Sequence, residues 1–186
     1  MLIFIKMKKE LSKEIDIPEN VKVNLEKNNL TVKGPVGENS KEFDFKKLDV
    51  EIKGNKVILG HKKATKREKK LINTLAAHIK NMIQGTIEKF EYKLKICYVH
   101  FPFTIKIDKN QAIIKNFLGE KIERKVGLPK EAEIEIKGDF ITIKATDKEV
   151  AGQAAANLET ATKIRGRDRR VFQDGIYITN KCGREL

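Results

Sequence analysis

Val21–Glu38, VKVNLEKNNLTVKGPVGE, and Phe103–Glu120, FTIKIDKNQAIIKNFLGE, align without a gap at an offset of 82 positions. Lys27, Asn28, Lys33, Gly37 and Glu38 are matched by Lys109, Asn110, Lys115, Gly119 and Glu120, and apolar Val21, Val23, Leu25 and Val32 by Phe103, Ile105, Ile107 and Ile114. A second match, VEIKGN at 50–55 against IEIKGD at 134–139, follows in the same order at an offset of 84. One match between two hairpins is within the reach of chance. Two in one order at nearly one offset indicate duplication.

Within each copy the pattern is one of period 2. Val21, Val23 and Leu25 alternate with polar residues, as a half-buried strand requires. Lys27-Asn28-Asn29 reads as a turn, and Leu30–Lys33 as the returning arm of a hairpin. Phe43 and Phe45 alternate again, and Val50–Lys53, Gly54-Asn55 and Lys56–Leu59 form another hairpin. The second copy repeats this through Glu133–Lys137, Gly138-Asp139 and Phe140–Lys144, with Tyr92–Val99 as its first strand. Each copy then closes with one helix. The first opens on the capping-box pattern Thr65-x-x-Glu68, carries Leu71, Ile72, Leu75, Ile79, Met82 and Ile83 at helical spacing, and stops at Gly85. The second opens on Thr146-x-x-Glu149 and carries Val150, Ala154, Leu158 and Ala161. The expected fold is α+β: two tandem repeats of a small domain, each an antiparallel β-sheet covered by one α-helix. The expected division is 1–6 as an extension before a start at Met7, 7–85 and 86–177 as the repeats, and 178–186 as a tail.

The chain has 186 residues, 35% of them charged, and a formal net charge of +13. Ion-pair lacing of the surface explains the 26 acidic residues but not the excess of cations. That excess points to a polyanionic partner. The apolar start Met1–Ile5 is too short to span a bilayer or to form a signal-peptide core. Cys97 and Cys182 are far apart and lack any Cys-x-x-Cys or histidine cluster, so neither a zinc site nor a disulfide framework is supported. A reduced, cytoplasmic setting fits.

Four of the seven arginines lie in Lys163–Arg170, KIRGRDRR. Guanidinium groups grip phosphate or a guanine edge through paired donors and stack on bases, which lysine does not do. Gly166 lets the backbone approach phosphate closely. A solvated basic loop after a helix is the plainer reading, and the concentration of arginine in one place favours a defined RNA contact over it. His61–Lys70, HKKATKREKK, reads equally as an electrostatic footprint or as the solvated start of the first helix. The hairpin exits at 33–38 and 115–120 lack P-loop spacing, so nucleotide binding is not expected. In the first, a turn needing positive φ is the favoured reading. The second, flanked by Lys121, Arg124 and Lys125, is a candidate turn near RNA, and Lys115, Asn116 and Lys121 are its candidate contacts. Phe172 and Tyr177 can stack on bases, although apolar anchoring of the tail is preferred. His61, His78 and His100 stand apart from any nucleophile pattern, His78 reads as structural, and the carboxylates are dispersed among lysines. No catalytic residue, metal or cofactor is expected.

Asp168–Tyr177, DRRVFQDGIY, closely resembles the C-terminal signature of the archaeal and eukaryotic branch of the large ribosomal subunit protein six family. His78–Gly85, HIKNMIQG, resembles the mid-chain motif of that family. The resemblance extends over nearly the whole chain from Met7. Thr86–Phe90 departs from the family's usual Val-Thr-x-Gly-Phe, and the Tyr-Lys-Gly-Lys-Gly ending of the bacterial branch is absent. The resemblance implies two β-sheet-plus-helix domains and no enzymatic activity. It also implies binding of large-subunit rRNA chiefly through the C-terminal domain, at the stalk base near the sarcin–ricin loop, among neighbouring ribosomal proteins. It places RNA contact on Lys163, Arg165, Arg167, Arg169 and Arg170, with no membrane and no small-molecule substrate as partner. Two rivals remain: a general basic nucleic-acid protein and an RNA-processing enzyme.

Overall fold

The computed structural model describes residues 9–43 and 48–186. Phe45 and the expected extension at 1–6, with Met7, lie outside the described residues. The chain divides into two compact units, Met1–Glu88 and Lys89–Leu186.

In the first unit β1 (Lys9–Asp16), β2 (Lys22–Glu26), β3 (Asn29–Lys33), β4 (Glu38–Glu42), β5 (Asp49–Lys53) and β6 (Lys56–Ala64) precede α1 (Lys66–Ile87). The strands form two antiparallel sheets, ordered β1-β6-β5 and β2-β3-β4. In the second unit β7 (Phe90–Cys97), β8 (Thr104–Asp108), β9 (Gln111–Lys115), β10 (Arg124–Gly127), β11 (Glu133–Lys137) and β12 (Phe140–Ala145) precede α2 (Lys148–Ala161). They repeat the pairings of the first unit. Two further strands, β13 (Gly175–Lys181) and β14 (Arg184–Glu185), extend the larger sheet to the order β11-β12-β7-β13-β14. Duplication is visible in the register: Leu25 faces Leu30 as Ile107 faces Ala112, and each hairpin turns on a lysine at positive φ, Lys27 or Lys109.

Each unit has its own core, filled from the alternating positions. Leu30, Val32, Val57 and Leu59 are fully buried with Ile72, Ala76 and Ile79 of α1. Leu94, Ile141, Ile143 and Ile176 are buried with Ala151, Ala154, Ala155 and Leu158 of α2. Removing an Ile or Leu side chain from water in this way stabilises by roughly 1.5–3 kcal/mol each.

Several local expectations differ from the structure. Each unit holds two sheets rather than one, because alternation reveals strands but not their partners. α1 runs through Gly85, which is buried inside it, and ends at Ile87, where Glu88 turns extended. α2 is capped by Asp147, whose carboxylate accepts from the Glu149 amide at 2.8 Å, and not by Thr146. Leu71 of the expected apolar stripe is exposed. The capping box of α1 is present: Thr65 accepts from the Arg67 amide, and the Glu68 carboxylate accepts from the Thr65 amide at 2.8 Å and from its hydroxyl.

Gly34 has no positive φ, contrary to the turn reading. It is required by a close approach. A Cβ there would lie 2.7 Å from the carbonyl oxygen of buried Thr86, which also accepts from the Val36 amide at 3.0 Å. The loop thus seats on the last turn of α1 and satisfies a carbonyl that the helix leaves open. Gly34→Ala is expected to destabilise the first unit by about 1–3 kcal/mol through overpacking. Gly60→Ala, whose Cβ would meet only ordinary contacts from 3.7 Å, serves as the control in thermal unfolding, and equal shifts for the two would remove the explanation.

Candidate nucleic-acid interface

α2 ends at Ala161, and the chain then crosses Lys163–Gln173 without regular strand or helix before β13 begins at Gly175. A segment this rich in like charge needs anchors. Thr162 is buried, and its hydroxyl oxygen accepts from the Ile176 amide at 2.9 Å, closing the base of the loop. Ile164 drops into the core of the second unit. Gly166 turns the chain at φ 70°. The Asp168 carboxylate then accepts from the Arg170 amide at 2.9 Å and from its guanidinium at 3.3 and 3.1 Å. The Asp168 carbonyl accepts from the amides of Val171 and Phe172.

Asp174 supplies the last anchor and is 1% exposed. It accepts from the amides of Val99 at 2.8 Å and His100 at 3.0 Å, and Nδ1 of His100 lies 2.7 Å from its second oxygen. An ionised carboxylate only accepts, so Nδ1 carries the proton. Burial by itself raises the carboxyl pKa, but the His100 amide, the His100 ring and the Val99 amide outweigh it and hold the group below its ordinary value. Phe172 stacks on the His100 ring, centroids 4.6 Å apart and planes 14° apart, and the Arg167 guanidinium lies 4.8 Å from the Phe172 centroid. Phe172 is therefore spent as an anchor, whereas Tyr177 stays exposed on β13.

These anchors deliver the basic side chains unequally. Lys163, Arg165 and Arg167 line one open cleft of about 770 Å³ between the end of α2 and β10. Lys163 and Arg169 line an adjoining cleft of about 280 Å³. Among the described residues Lys163, Arg165 and Arg169 have no hydrogen-bonded or ion-paired side-chain partner, while Arg170 is paired with Asp168. The hairpin candidates do not line the cleft. Lys115 is ion-paired with Glu123, and Asn116, at φ 61°, donates to the Pro102 carbonyl at 3.0 Å. Lys121 is exposed and unpaired among the described residues. Arg124, read as part of that basic flank, is structural. It pairs with Glu120, lies 4.4 Å from the Phe117 centroid and donates to the Ala161 carbonyl at the C-terminal end of α2, where a cation also favours the helix dipole. Lys125, read from the sequence only as a flank of the hairpin exit, lines the same cleft, and sequence reasoning missed Gln153, Asn157 and Thr160 there. The last three recur at helical spacing, and that polar stripe on an alanine-rich helix was the available signal.

His61–Lys70 is divided between the end of β6 and the first turns of α1, with Thr65 and Glu68 used in capping. Among the described residues no group of three His, Cys, Asp or Glu side chains is placed to hold a metal ion, and both cysteines are free. No helix among the described residues is long and apolar enough to cross a membrane.

Asp174→Ala leaves two amides and a ring N–H without their acceptor and is expected to cost about 2–3 kcal/mol in chemical unfolding. The native carboxyl pKa is lowered, so the unfolded state binds more protons in that range. The contribution is in place above the ordinary carboxylate range and is lost as pH falls through the native value. A variant with the same acid limb as the parent would contradict this.

The Ribosomal protein L6 family model matches residues 17–89 and again 101–175, one match in each unit. The large ribosomal subunit protein uL6 of Methanobrevibacter smithii is 47% identical over 92% of this chain and 96% of its own length. The proteins of that name from Methanocella arvoryzae and Saccharolobus solfataricus are 44% and 41% identical, over 95% and 92% of this chain and 100% and 95% of their own lengths. With two tandem matches, and with relatives this similar along almost the full length, the chain belongs to the ribosomal protein L6 family.

Proposed function

We propose that the chain is a structural, non-enzymatic constituent of the large ribosomal subunit in the cytoplasm, and that its second unit grips large-subunit rRNA through Lys163–Arg170. Family membership and the relatives named as large-subunit proteins support the first part. One observation carries the second: Lys163, Arg165 and Arg167 converge on a single open cleft, and the anchors beneath them fix the backbone. Fixing that backbone before binding lowers the ordering cost of the contact. Phosphate contacts from Lys163, Arg165, Arg167 and Arg169 position the protein, and the shape of the anchored loop selects a folded RNA site. Arg170 joins them by exchanging Asp168 for phosphate, and Gly166 leaves room for the backbone to approach. Lys115, Asn116 and Lys121 form a second, weaker contact, with Lys121 its free cation. The site in the subunit is the stalk base near the sarcin–ricin loop, with neighbouring ribosomal proteins as further partners, and the contribution is to brace rRNA around the factor-binding region.

Arg165→Ala combined with Arg167→Ala is expected to weaken binding of large-subunit rRNA fragments far more than Lys62→Ala combined with Lys63→Ala. The salt slope, log K against log salt, should drop by roughly 0.7–0.9 for each phosphate contact removed. Equal losses for the two pairs, or a flat salt response, would sink the localisation. Crosslinking and sequencing of RNA bound in purified ribosomes reads the location, and crosslinks confined to regions away from the sarcin–ricin loop would refute it.

A further inference from the structure

The solvent face of the larger sheet in the second unit has a row that crosses four strands. Lys137 on β11 faces Phe140 on β12, Phe140 faces Lys95 on β7, and Lys95 faces Tyr177 on β13. The opposite face of these strands, with Leu94, Ile141 and Ile176, is core. The row therefore alternates cation, ring, cation, ring in open solvent. Phe140 is 53% exposed and Tyr177 42%. Two strand spacings separate the rings, roughly 10 Å.

Each member is held. The Lys95 ammonium lies 6.0 Å from the Phe140 centroid and has no ion pair among the described residues. The Tyr177 hydroxyl donates to the Gln173 carbonyl at 3.2 Å, and its ring occupies the space where a Cβ on Gly175 would lie, 3.3 Å away. Beside the row is an open cleft of about 480 Å³ whose lining includes Lys95, Cys97, Tyr98, Asp139, Gln173 and Tyr177. Lys137 of the row is ion-paired with Glu135, and the neighbouring Glu91 with Lys93, which leaves Lys95 as the cation of the row with no ion pair among the described residues.

The duplicated first unit provides an internal comparison. Its equivalent row is Lys53, Lys56 and Asp16, with no ring, and its lysines are ion-paired with Glu51, Glu14 and Asp16. The lysine of the first strand is paired in both copies, Lys53 with Glu51 and Lys137 with Glu135, but the two rings and the Lys95 between them, unpaired among the described residues, belong to the second copy and not to the fold. Planar rings alternating with cations suit unpaired nucleotides: every base has a π-face to stack, and the cations meet the phosphates between. Exposed aromatics also serve protein-docking faces, but the unpaired ammonium between the rings, on a chain of net charge +13, favours a polyanion. The row also adjoins the arginine segment, since Tyr177 and Arg169 line one cleft.

We infer that this sheet face is a second RNA subsite, in which Phe140 and Tyr177 stack on bases of a single-stranded rRNA segment while Lys95 holds its backbone. The inference rests on the rRNA-binding reading above and deepens it. The test uses the full chain with two labelled probes, a short oligouridylate and a blunt RNA duplex of equal phosphate count. Phe140→Leu with Tyr177→Leu should lower oligouridylate affinity about tenfold or more, with the salt slope and the duplex affinity unchanged. Phe140→Tyr with Tyr177→Phe should restore it. Phe140→Leu alone, at an exposed hairpin end, reads the same difference if the double variant fails to fold. Unchanged oligouridylate affinity, as expected of a protein-docking face, or an equal loss on both probes overturns the subsite and leaves the arginine contact standing. Arg165→Ala with Arg167→Ala should weaken both probes with a reduced salt slope, and a parent chain that binds neither probe removes both readings.

Discussion

The buried Asp174 carboxylate sits where three donors meet. Desolvating a carboxylate is costly unless its lone pairs find donors, and here two consecutive amides and an imidazole N–H converge on it. Those donors come from Val99 and His100, just past the end of β7, so the carboxylate ties the return of the arginine segment to the strand at the centre of the larger sheet. The same hold presents the His100 ring to Phe172, and Phe172 to Arg167. A chain of contacts therefore runs from a core strand to a guanidinium at the surface. Without it, the ties of the four-arginine segment among the described residues are Ile164, Thr162, its own Asp168 turn and the Gln173 hydrogen bonds with the Arg170 carbonyl and the Tyr177 hydroxyl.

Divergence between the copies follows from what comes after the helix. In the first unit α1 is 22 residues long, and β7 begins within a few residues of its end. In the second, α2 has 14 residues, and the chain released from helix becomes the anchored loop and then β13. β13 pairs with β7 on the edge that the equivalent strand, β1, does not share with a later strand among the described residues. One extension thus caps a sheet edge that would otherwise present unpaired backbone groups and brings Tyr177 to the solvent face. RNA-facing groups and sheet completion arise from one stretch of sequence, which explains why DRRVFQDGIY reads as a unit although its residues do unlike work.

Alternation made most of the fold legible. Both hairpins of each copy, the two helices and the α+β class were readable from Val21–Leu25, Val50–Leu59 and their matches, because half-buried strands must alternate. β1 and β4 were not, since KELSKEID and ENSKE carry few apolar residues and take their places by pairing with β6 and β3. Gly34 was misread for a different reason: a glycine demanded by a neighbour as distant in sequence as Thr86 looks the same as one demanded by its own φ. At the interface the arginine cluster was legible as composition. Its anchors were not, because Asp174 meets His100 only through the tertiary fold.

The same limit applies to charge itself. A count assigns Lys115, Arg124, Arg165 and Arg170 one positive charge each, yet they are not equally available to a phosphate. Arg124 is held by Glu120, by the Ala161 carbonyl and against Phe117, so withdrawing it uncaps α2. Lys115 and Arg170 must first leave Glu123 and Asp168, exposed pairs that contribute little and are easily exchanged for a stronger anion. Arg165 has no ion pair among the described residues to leave. Available cations therefore follow the ion-pair map rather than the sequence, and on that map Lys163, Arg165 and Arg169 of the anchored segment have no partner among the described residues, whereas Arg124 and Arg170 do. Anchoring those few on one rigid loop gives a contact with shape as well as charge, and shape is what distinguishes one folded RNA site from the many phosphates around it.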